Sequence, residues 1–388
     1  MKRIFVSITI LVVVACQPVR VKPVRPVLPI AQLPFDGGAW QVVVADFDGD
    51  SLEDVLFTSH SDSYSQVLFQ RAKRRFEAGP RLDAVGFHPG DLVPLPGTPR
   101  HYLLAAEGEG RLKVLQPDPA TGLHVINQRP FHSPRYLTTF DWPTWGPSIA
   151  VVGVDDPNVY LIRGFSADSA APLDALAVAS GPSGPKTRYP QEVLARDLDR
   201  DGVPELYYTS YWTDAVWRIV RPQTGSAPVA ELLWQFKEAA APKHLLALDV
   251  DGDGKAELLV PEEAAQKVAI FKVGPEGKLK EQAVIALPAR GGPYAAAGGV
   301  DSDGEVLLAT GVQDYLLLHR LTQGGAQSEY LAIPTVTWPS QLAMTDLDGD
   351  GHLDLVVGIR SPGRKAVVIY GPLWEAMGQL AHAEYKIQ

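Results

Sequence analysis

Asp346-Leu347-Asp348-Gly349-Asp350-Gly351-His352-Leu353-Asp354 is the stretch on which the fold turns. Carboxylates stand at positions 1, 3, 5 and 9, and glycine at positions 4 and 6. Leu342-Ala343-Met344 precedes it and Leu355-Val356-Val357 follows, so the unit reads as strand, acidic loop, strand. Three further copies align without gaps. Their acids are Asp46, Asp48, Asp50 and Asp54; Asp197, Asp199, Asp201 and Glu205; and Asp249, Asp251, Asp253 and Glu257. Each copy lies between apolar runs. A fifth, Asp301-Ser302-Asp303-Gly304-Glu305, starts the loop and is cut short.

The copies are regularly spaced. Asp197 to Asp249 and Asp249 to Asp301 are each 52 residues, and Asp301 to Asp346 is 45. Asp46 to Asp197 is 151, about three periods, so two units with decayed loops are expected between them. Residues 101–105 with 112–115, and 149–153 with 159–162, supply their strands, and Asp141 stands where the third loop would begin. A period of roughly 40–50 residues with about four short strands per unit marks propeller blades. The expected fold is all-β: a seven-bladed β-propeller of four-stranded antiparallel blades over residues 27–388. Third strands are expected at 66–70, 268–271 and 366–370, and outer strands at 229–235, 283–287 and 330–333. Residues 27–31 or 383–387 would close the ring, which removes exposed sheet edges.

Oxygen donors at alternate positions suit calcium, which takes about 6–8 oxygens at roughly 2.3–2.6 Å. Position 7 is Leu52, Val203, Lys255 or His352, with no shared side chain, so a backbone carbonyl is the expected ligand there. Glycines at positions 4 and 6 allow the positive φ that wrapping an ion requires. An EF-hand would need a bidentate Glu at position 12, where this chain has Phe57, Tyr208, Val260 and Val357. Magnesium, which keeps waters and binds few carboxylates, fits less well. About four structural calcium sites are expected.

These loops resemble the calcium loops of FG-GAP/VCBS repeats, found in the propeller of integrin α subunits and in bacterial surface and secreted proteins. The resemblance runs over residues 27–388. It implies a mainly structural metal that pins the hairpin between the first two strands of a blade, and a ligand face on the opposite side.

The chain opens with basic Lys2-Arg3 and an apolar run from Ile4 to Ala15, too short to span a bilayer, which reads as a signal peptide over residues 1–15. Val13-Val14-Ala15-Cys16 resembles a bacterial lipobox. Cys16 is the sole cysteine, so no disulfide is available, and lipidation at Cys16 is expected over an ordinary cleavage beside it. Gln17, by resemblance to Gram-negative lipoproteins, permits sorting to the outer membrane. Residues 16–26 hold the lipidated Cys and a Pro-rich, extended tether. The expected place is therefore outside the cytoplasm, lipid-anchored in the envelope. Against 45 Asp and Glu there are 35 Lys and Arg, a formal charge of −10, which argues against nucleic-acid binding.

Five and six residues before each loop stand Trp40/Gln41, Gln191/Glu192, Lys243/His244 and Ser340/Gln341, with Arg135/Tyr136 before Asp141. Trp40, Arg135, Tyr136, Gln191, Lys243 and His244 are candidate ligand residues at the channel mouth, weighed against a role as ordinary turn residues. The segments 210–214 and 141–145 are aromatic and could stack on sugars or meet a protein, or fill gaps between blades. No zinc spacing, nucleophile elbow or P-loop occurs, so no catalytic residue is assigned. Three functions stay open. They are a calcium-binding adhesion or interaction module for an unknown protein or glycan, a polysaccharide lyase or glycosidase, and a structural component of an envelope assembly. Acids and Arg gathered at the channel mouth would favour the enzyme.

Overall fold

A computed structural model describes residues 28–387 apart from 60, 84, 99, 155, 170, 180–189, 223–225, 275–276, 289–290, 323 and 362–364. The expected signal peptide, Cys16 and tether lie outside the described residues.

The described residues form seven four-stranded antiparallel sheets. Blade 1 comprises Ala39–Ala45, Asp54–Ser59, Ser65–Ala72 and Arg75–Ala78. Blade 2 comprises Pro89–Pro94, Tyr102–Ala106, Arg111–Asp118 and Gly122–Pro130. Blade 3 comprises Pro134–Trp142, Gly146–Gly153, Asn158–Ile162 and Ala175–Ala179. Blade 4 comprises Pro190–Arg196, Glu205–Ser210, Ala215–Val220 and Val229–Gln235. Blade 5 comprises Leu246–Leu248, Glu257–Glu262, Lys267–Val273 and Leu279–Ala286. Blade 6 comprises Ala295–Val300, Val306–Val312, Tyr315–Leu321 and Gln327–Pro334. Blade 7 takes Pro339–Thr345, Asp354–Ile359 and Val367–Ile369 from the C-terminal end and Ile30–Gln32 from the N-terminal end.

The core is a ring of blade-to-blade interfaces. Seven clusters of buried apolar side chains each join two neighbouring blades, including Phe35, Phe57 and Val368 between blades 1 and 7 and Phe140, Trp142 and Tyr208 between blades 3 and 4. A second strand is therefore covered on both faces. Asp54–Ser59, Glu257–Glu262 and Asp354–Ile359 are buried at every position, which is why such strands read as unbroken apolar runs. Outer strands cover one face only: Val229–Gln235 has no buried residue.

The ring closes through Ile30–Gln32, whose residues pair antiparallel with Val367–Ile369. The rival closing segment, 383–387, forms no strand. The chain turns instead into an α-helix, Leu373–His382, that buries Leu373, Ala376, Met377 and Leu380 against blades 6 and 7. Ile387 makes one isolated parallel bridge to Thr335.

Candidate functional site

The four acidic loops share one pattern of hydrogen bonds. The position-1 carboxylate accepts from the amide of position 6: Ser51 to Asp46 at 3.1 Å, Gly202 to Asp197 at 2.9 Å, Gly254 to Asp249 at 2.7 Å and Gly351 to Asp346 at 2.9 Å. Position 3 accepts from the amide of position 5, and position 5 from that of position 7. These turns need positive φ at positions 4 and 6. Where glycine is missing, Arg200 (φ 63°) and Ser51 (φ 71°) adopt it.

The position-9 acid opens the second strand and reaches back into its own loop. It accepts from the position-2 amide: Phe47 to Asp54 at 2.9 Å, Leu198 to Glu205 at 3.3 Å, Val250 to Glu257 at 2.9 Å and Leu347 to Asp354 at 2.9 Å. Asp54, Glu257 and Asp354 are wholly buried. Burial pushes the Asp54 and Asp354 carboxyls up to about 6 and Glu205 to about 7, with neighbouring carboxylates adding to the effect, and it raises Glu257 as well.

In each loop the acids converge. Oxygens of Asp46, Asp48 and Asp50 lie within 4.8 Å of one another, as do those of Asp197, Asp199 and Glu205, of Asp249, Asp251 and Glu257, and of Asp346, Asp348 and Asp354. Asp54, Asp201, Asp253 and Asp350 stand outside these tight groups. Asp197 Oδ1 is buried and accepts no hydrogen bond, an arrangement that is costly unless a cation meets it; Glu257 Oε1 also accepts none, but has Lys272 Nζ at 3.9 Å. The donor set is all oxygen, which fits a hard divalent ion.

Sequence reasoning did not anticipate the basic side chains beside these loops. Arg71 pairs with Asp48, and Arg221 with Asp201 at 3.3 Å. Lys272 reaches Asp251 at 2.8 Å and Asp253 at 2.7 Å. Arg74 of blade 1 crosses to Asp348 and Asp350 of blade 7. Arg71 and Lys272 lie on third strands and Arg221 just beyond one. A basic residue at the end of the third strand was the available signal. The truncated fifth loop gathers Asp301 and Asp303 with His352 of the next loop.

On the opposite face, the positions expected in turns lie within the first strands of blades 1, 3, 4 and 7 and just ahead of that of blade 5, and they separate by strand alternation. The residues five before each loop, Gln41, Tyr136, Glu192, His244 and Gln341, line a central cavity of about 170 Å³ together with Asp91. His244 is held on both nitrogens, by Glu192 Oε2 at 2.9 Å and the Tyr294 carbonyl at 2.7 Å. Burial raises the Asp91 carboxyl well above the usual range, and the Glu192 charge adds to it, although Asp91 accepts from the Leu137 amide at 3.0 Å. Asp91 escaped the sequence alignment because blade 2 has no acidic loop to anchor the count.

The residues six before each loop turn aside. Lys243 and Gln191 enter a pocket of about 370 Å³ with Tyr211, Trp212, Glu263, Tyr294 and Trp338. Arg135 and Gln191 line a second pocket, about 180 Å³, that also touches Tyr136 and Trp212. Arg135 is held by Glu107 at 2.7 Å. Trp40 lies 5.5 Å from the Arg360 guanidinium. Ser340 is instead buried, donating to the Ala39 carbonyl at 2.6 Å. The two aromatic segments have different fates. Trp212 is 64% exposed, whereas Trp142 is wholly buried between blades. A wider cleft of about 610 Å³ opens beside the fourth-blade loop, lined by Asp199, Asp201, Glu205, Arg218 and Arg221.

Among solved structures the chain is similar to propellers of low identity. Virginiamycin B lyase from Staphylococcus aureus is 15% identical, with 87% of this chain and 97% of that one covered and a TM-score of 0.57. A protein from Lactobacillus plantarum is 16% identical, with 83% and 93% covered and a TM-score of 0.61. The periplasmic gluconolactonase of Pseudomonas aeruginosa is 16% identical, with 85% and 96% covered and a TM-score of 0.52. At such identities the likeness is one of fold. No curated protein matches the sequence. The family model of the FG-GAP-like repeat matches residues 197–260 and that of the FG-GAP repeat residues 338–365. Both matches span acidic loops, and the chain is a seven-bladed β-propeller carrying FG-GAP repeats.

Proposed function

We propose that the protein is a lipid-anchored binding module of the bacterial envelope, probed from outside by a saccharide that docks on the aromatic face of the propeller. The observation that carries this reading is the pocket of about 370 Å³ in which Tyr211, Trp212, Tyr294 and Trp338 meet Gln191, Lys243 and Glu263. Aromatic faces supply stacking, and the polar groups among them supply orienting hydrogen bonds. The concavity favours a sugar over a protein partner, since a stable protein interface covers about 800 Å² per side. Exposed large apolar side chains, among them Phe87, Ile126, Val229, Leu232, Val284, Val300, Tyr315, Tyr330 and Val336, are spread from the segment before blade 2 through blades 2, 4, 5 and 6 to the segment before blade 7, which gives little support to a structural role in an assembly.

Calcium belongs to the scaffold in this reading. Asp46, Asp48, Asp50, Asp54 and the equivalent acids of the other three loops would hold it, with the carbonyls of Leu52, Val203, Lys255 and His352. When bound, it neutralises the clustered carboxylates and ties the first two strands of a blade together. The unsatisfied Oδ1 of Asp197 supports this assignment.

A second reading, an enzyme, is supported by Asp91, Glu192 and His244 around the central cavity. A carboxyl with raised affinity for its proton beside a carboxylate–histidine pair is acid–base equipment. At about 170 Å³ the cavity falls below the roughly 300 Å³ of common ligand sites, which places this reading second.

A panel of immobilised bacterial and plant polysaccharides, probed with residues 17–388 in calcium, tests the choice. Retention that falls at least fivefold in Trp212→Ala supports the binding module. Release of new reducing or unsaturated ends, abolished in Asp91→Asn, would replace it with the enzyme. Retention of nothing on the panel would count against a saccharide ligand.

A further inference from the structure

The aromatic pocket is bordered by a guanidinium that no carboxylate of the described residues neutralises. Arg360 follows the second strand of blade 7 and is half-buried. Its Nη1 donates to Tyr294 Oη at 2.6 Å. Its Cζ lies 5.4 Å from the Tyr294 ring centre, 5.5 Å from Trp40 and 5.7 Å from Trp338. Among the described residues no carboxylate lies within ion-pair reach of it. Two other cations of this face, among the described residues, are paired: Lys243 with Glu263 at 3.3 Å and Arg135 with Glu107 at 2.7 Å.

Three rings hold the Arg360 side chain in place and weaken its contact with water, which raises the value of an anion that meets it. One donor is committed to Tyr294, and the planar fork keeps others. In a chain of charge −10, an unneutralised cation beside a ligand pocket is selective for anions, because the surrounding protein repels those it does not hold specifically. Tyr294 and Trp338 wall the pocket and also flank Arg360; Lys243 Nζ covers the Tyr294 ring at 3.5 Å, so a sugar stacked on Trp338 brings a ring substituent to the guanidinium. A carboxylate matches the fork in two parallel hydrogen bonds.

Resting on the saccharide reading above, we infer that Arg360 is an anion-recognition residue and that the ligand is a uronate-containing saccharide, held by its carboxylate at Arg360 and by a ring face at Trp338.

The test is calorimetric titration of residues 17–388 in calcium with uronate oligosaccharides as free acid, as methyl ester and after replacement by a sulfated neutral chain. The free acid should bind at least tenfold more tightly than the ester at 50 mM NaCl, and the gap should narrow at 500 mM. Arg360→Gln should abolish the gap, so that acid and ester bind this variant within about twofold of each other. Arg360→Lys should keep part of it. Thermal melts establish that each variant is folded, and the acid-to-ester ratio and its salt dependence stand on the wild type alone. Equal binding of acid and ester, tighter binding of the sulfated chain, or a gap that survives in Arg360→Gln overturns the inference while the saccharide reading stands. Failure of every saccharide to bind overturns both.

Discussion

Ile30 pairs with Ile369, so residues near the two ends of the described chain share one sheet. Around this pairing the Leu33 amide donates to the Ala366 carbonyl at 2.8 Å, and that of Tyr370 to Pro29 at 2.9 Å. Leu33 is buried in the cluster joining blades 1 and 7. Closure thus rests on a three-residue strand and the side chain after it. Leu33→Ala should cost about 2–5 kcal/mol, measured by urea unfolding, and should promote aggregation by freeing the edge of Val367–Ile369. A loss below about 1 kcal/mol would show that closure depends on other contacts.

Lys272 occupies the fifth-blade loop much as a metal would, 2.8 Å from Asp251 and 2.7 Å from Asp253. Calcium entering that loop must displace the ammonium. Lys272→Met should therefore tighten calcium binding at this loop several-fold and lower stability in chelator, since four acids would then repel with less compensation. Calcium titrations followed by calorimetry and by melting temperature check both halves. Wild type should melt higher in calcium than in magnesium, by RT ln(1 + [L]/Kd) for each site, about 2.7 kcal/mol at a hundredfold excess. Asp348→Ala should remove one site's share. An unchanged melt in calcium would remove the structural-ion assignment from all four loops.

Glu262 supplies a pH dependence outside those loops. Its side chain is buried, Oε1 accepts no hydrogen bond, and Lys267 stands 3.4 Å from Oε2. Burial outweighs Lys267 and pushes the carboxyl up to about 7, with Glu281 and Asp214 adding to the rise. The folded protein then holds a proton that the unfolded chain has released, so this residue's contribution to stability falls as pH climbs from about 4.5 to 7. Glu262→Gln should match wild type near pH 5 and exceed it by about 1–3 kcal/mol at pH 8.5. Urea midpoints at both values, at fixed calcium, provide the check. A variant less stable at pH 8.5 would mean that the Lys267 pair outweighs the burial.

What was legible in the chain followed from contiguity. Each acidic loop gathers its carboxylates from one nine-residue stretch, so Asp46 to Asp54 and its three relatives carried blade number and loop position together. The same count located Gln41, Glu192 and His244 on the channel wall. Relations between blades left no such trace. Arg360, Tyr294 and Trp40 meet although they are separated by up to 320 residues in the chain, and Arg74 reaches Asp348 across the closure. The helix Leu373–His382 did leave a signal, since Leu373, Ala376, Met377 and Leu380 follow a helical period. The expectation of a final strand obscured it.

Trp142 and Trp212 lie in aromatic segments that look alike in sequence, and their surroundings assign them opposite roles. Trp142 is fully buried among Phe140, Trp145 and the apolar residues of blades 3 and 4, and its Nε1 donates at 2.9 Å to the carbonyl of Pro204 inside the fourth-blade loop. Trp142→Ala should cost about 3–5 kcal/mol and weaken the calcium response of that loop, because Pro204 precedes Glu205 and loses its anchor. Trp212 is 64% exposed at the pocket, so Trp212→Ala should change stability by no more than about 0.5 kcal/mol while removing stacking area from the ligand. Unfolding curves and saccharide retention measured on both variants separate the roles. Destabilisation by Trp212→Ala comparable to that of Trp142→Ala would make Trp212 part of the scaffold, and the pocket would lose its most exposed aromatic contact.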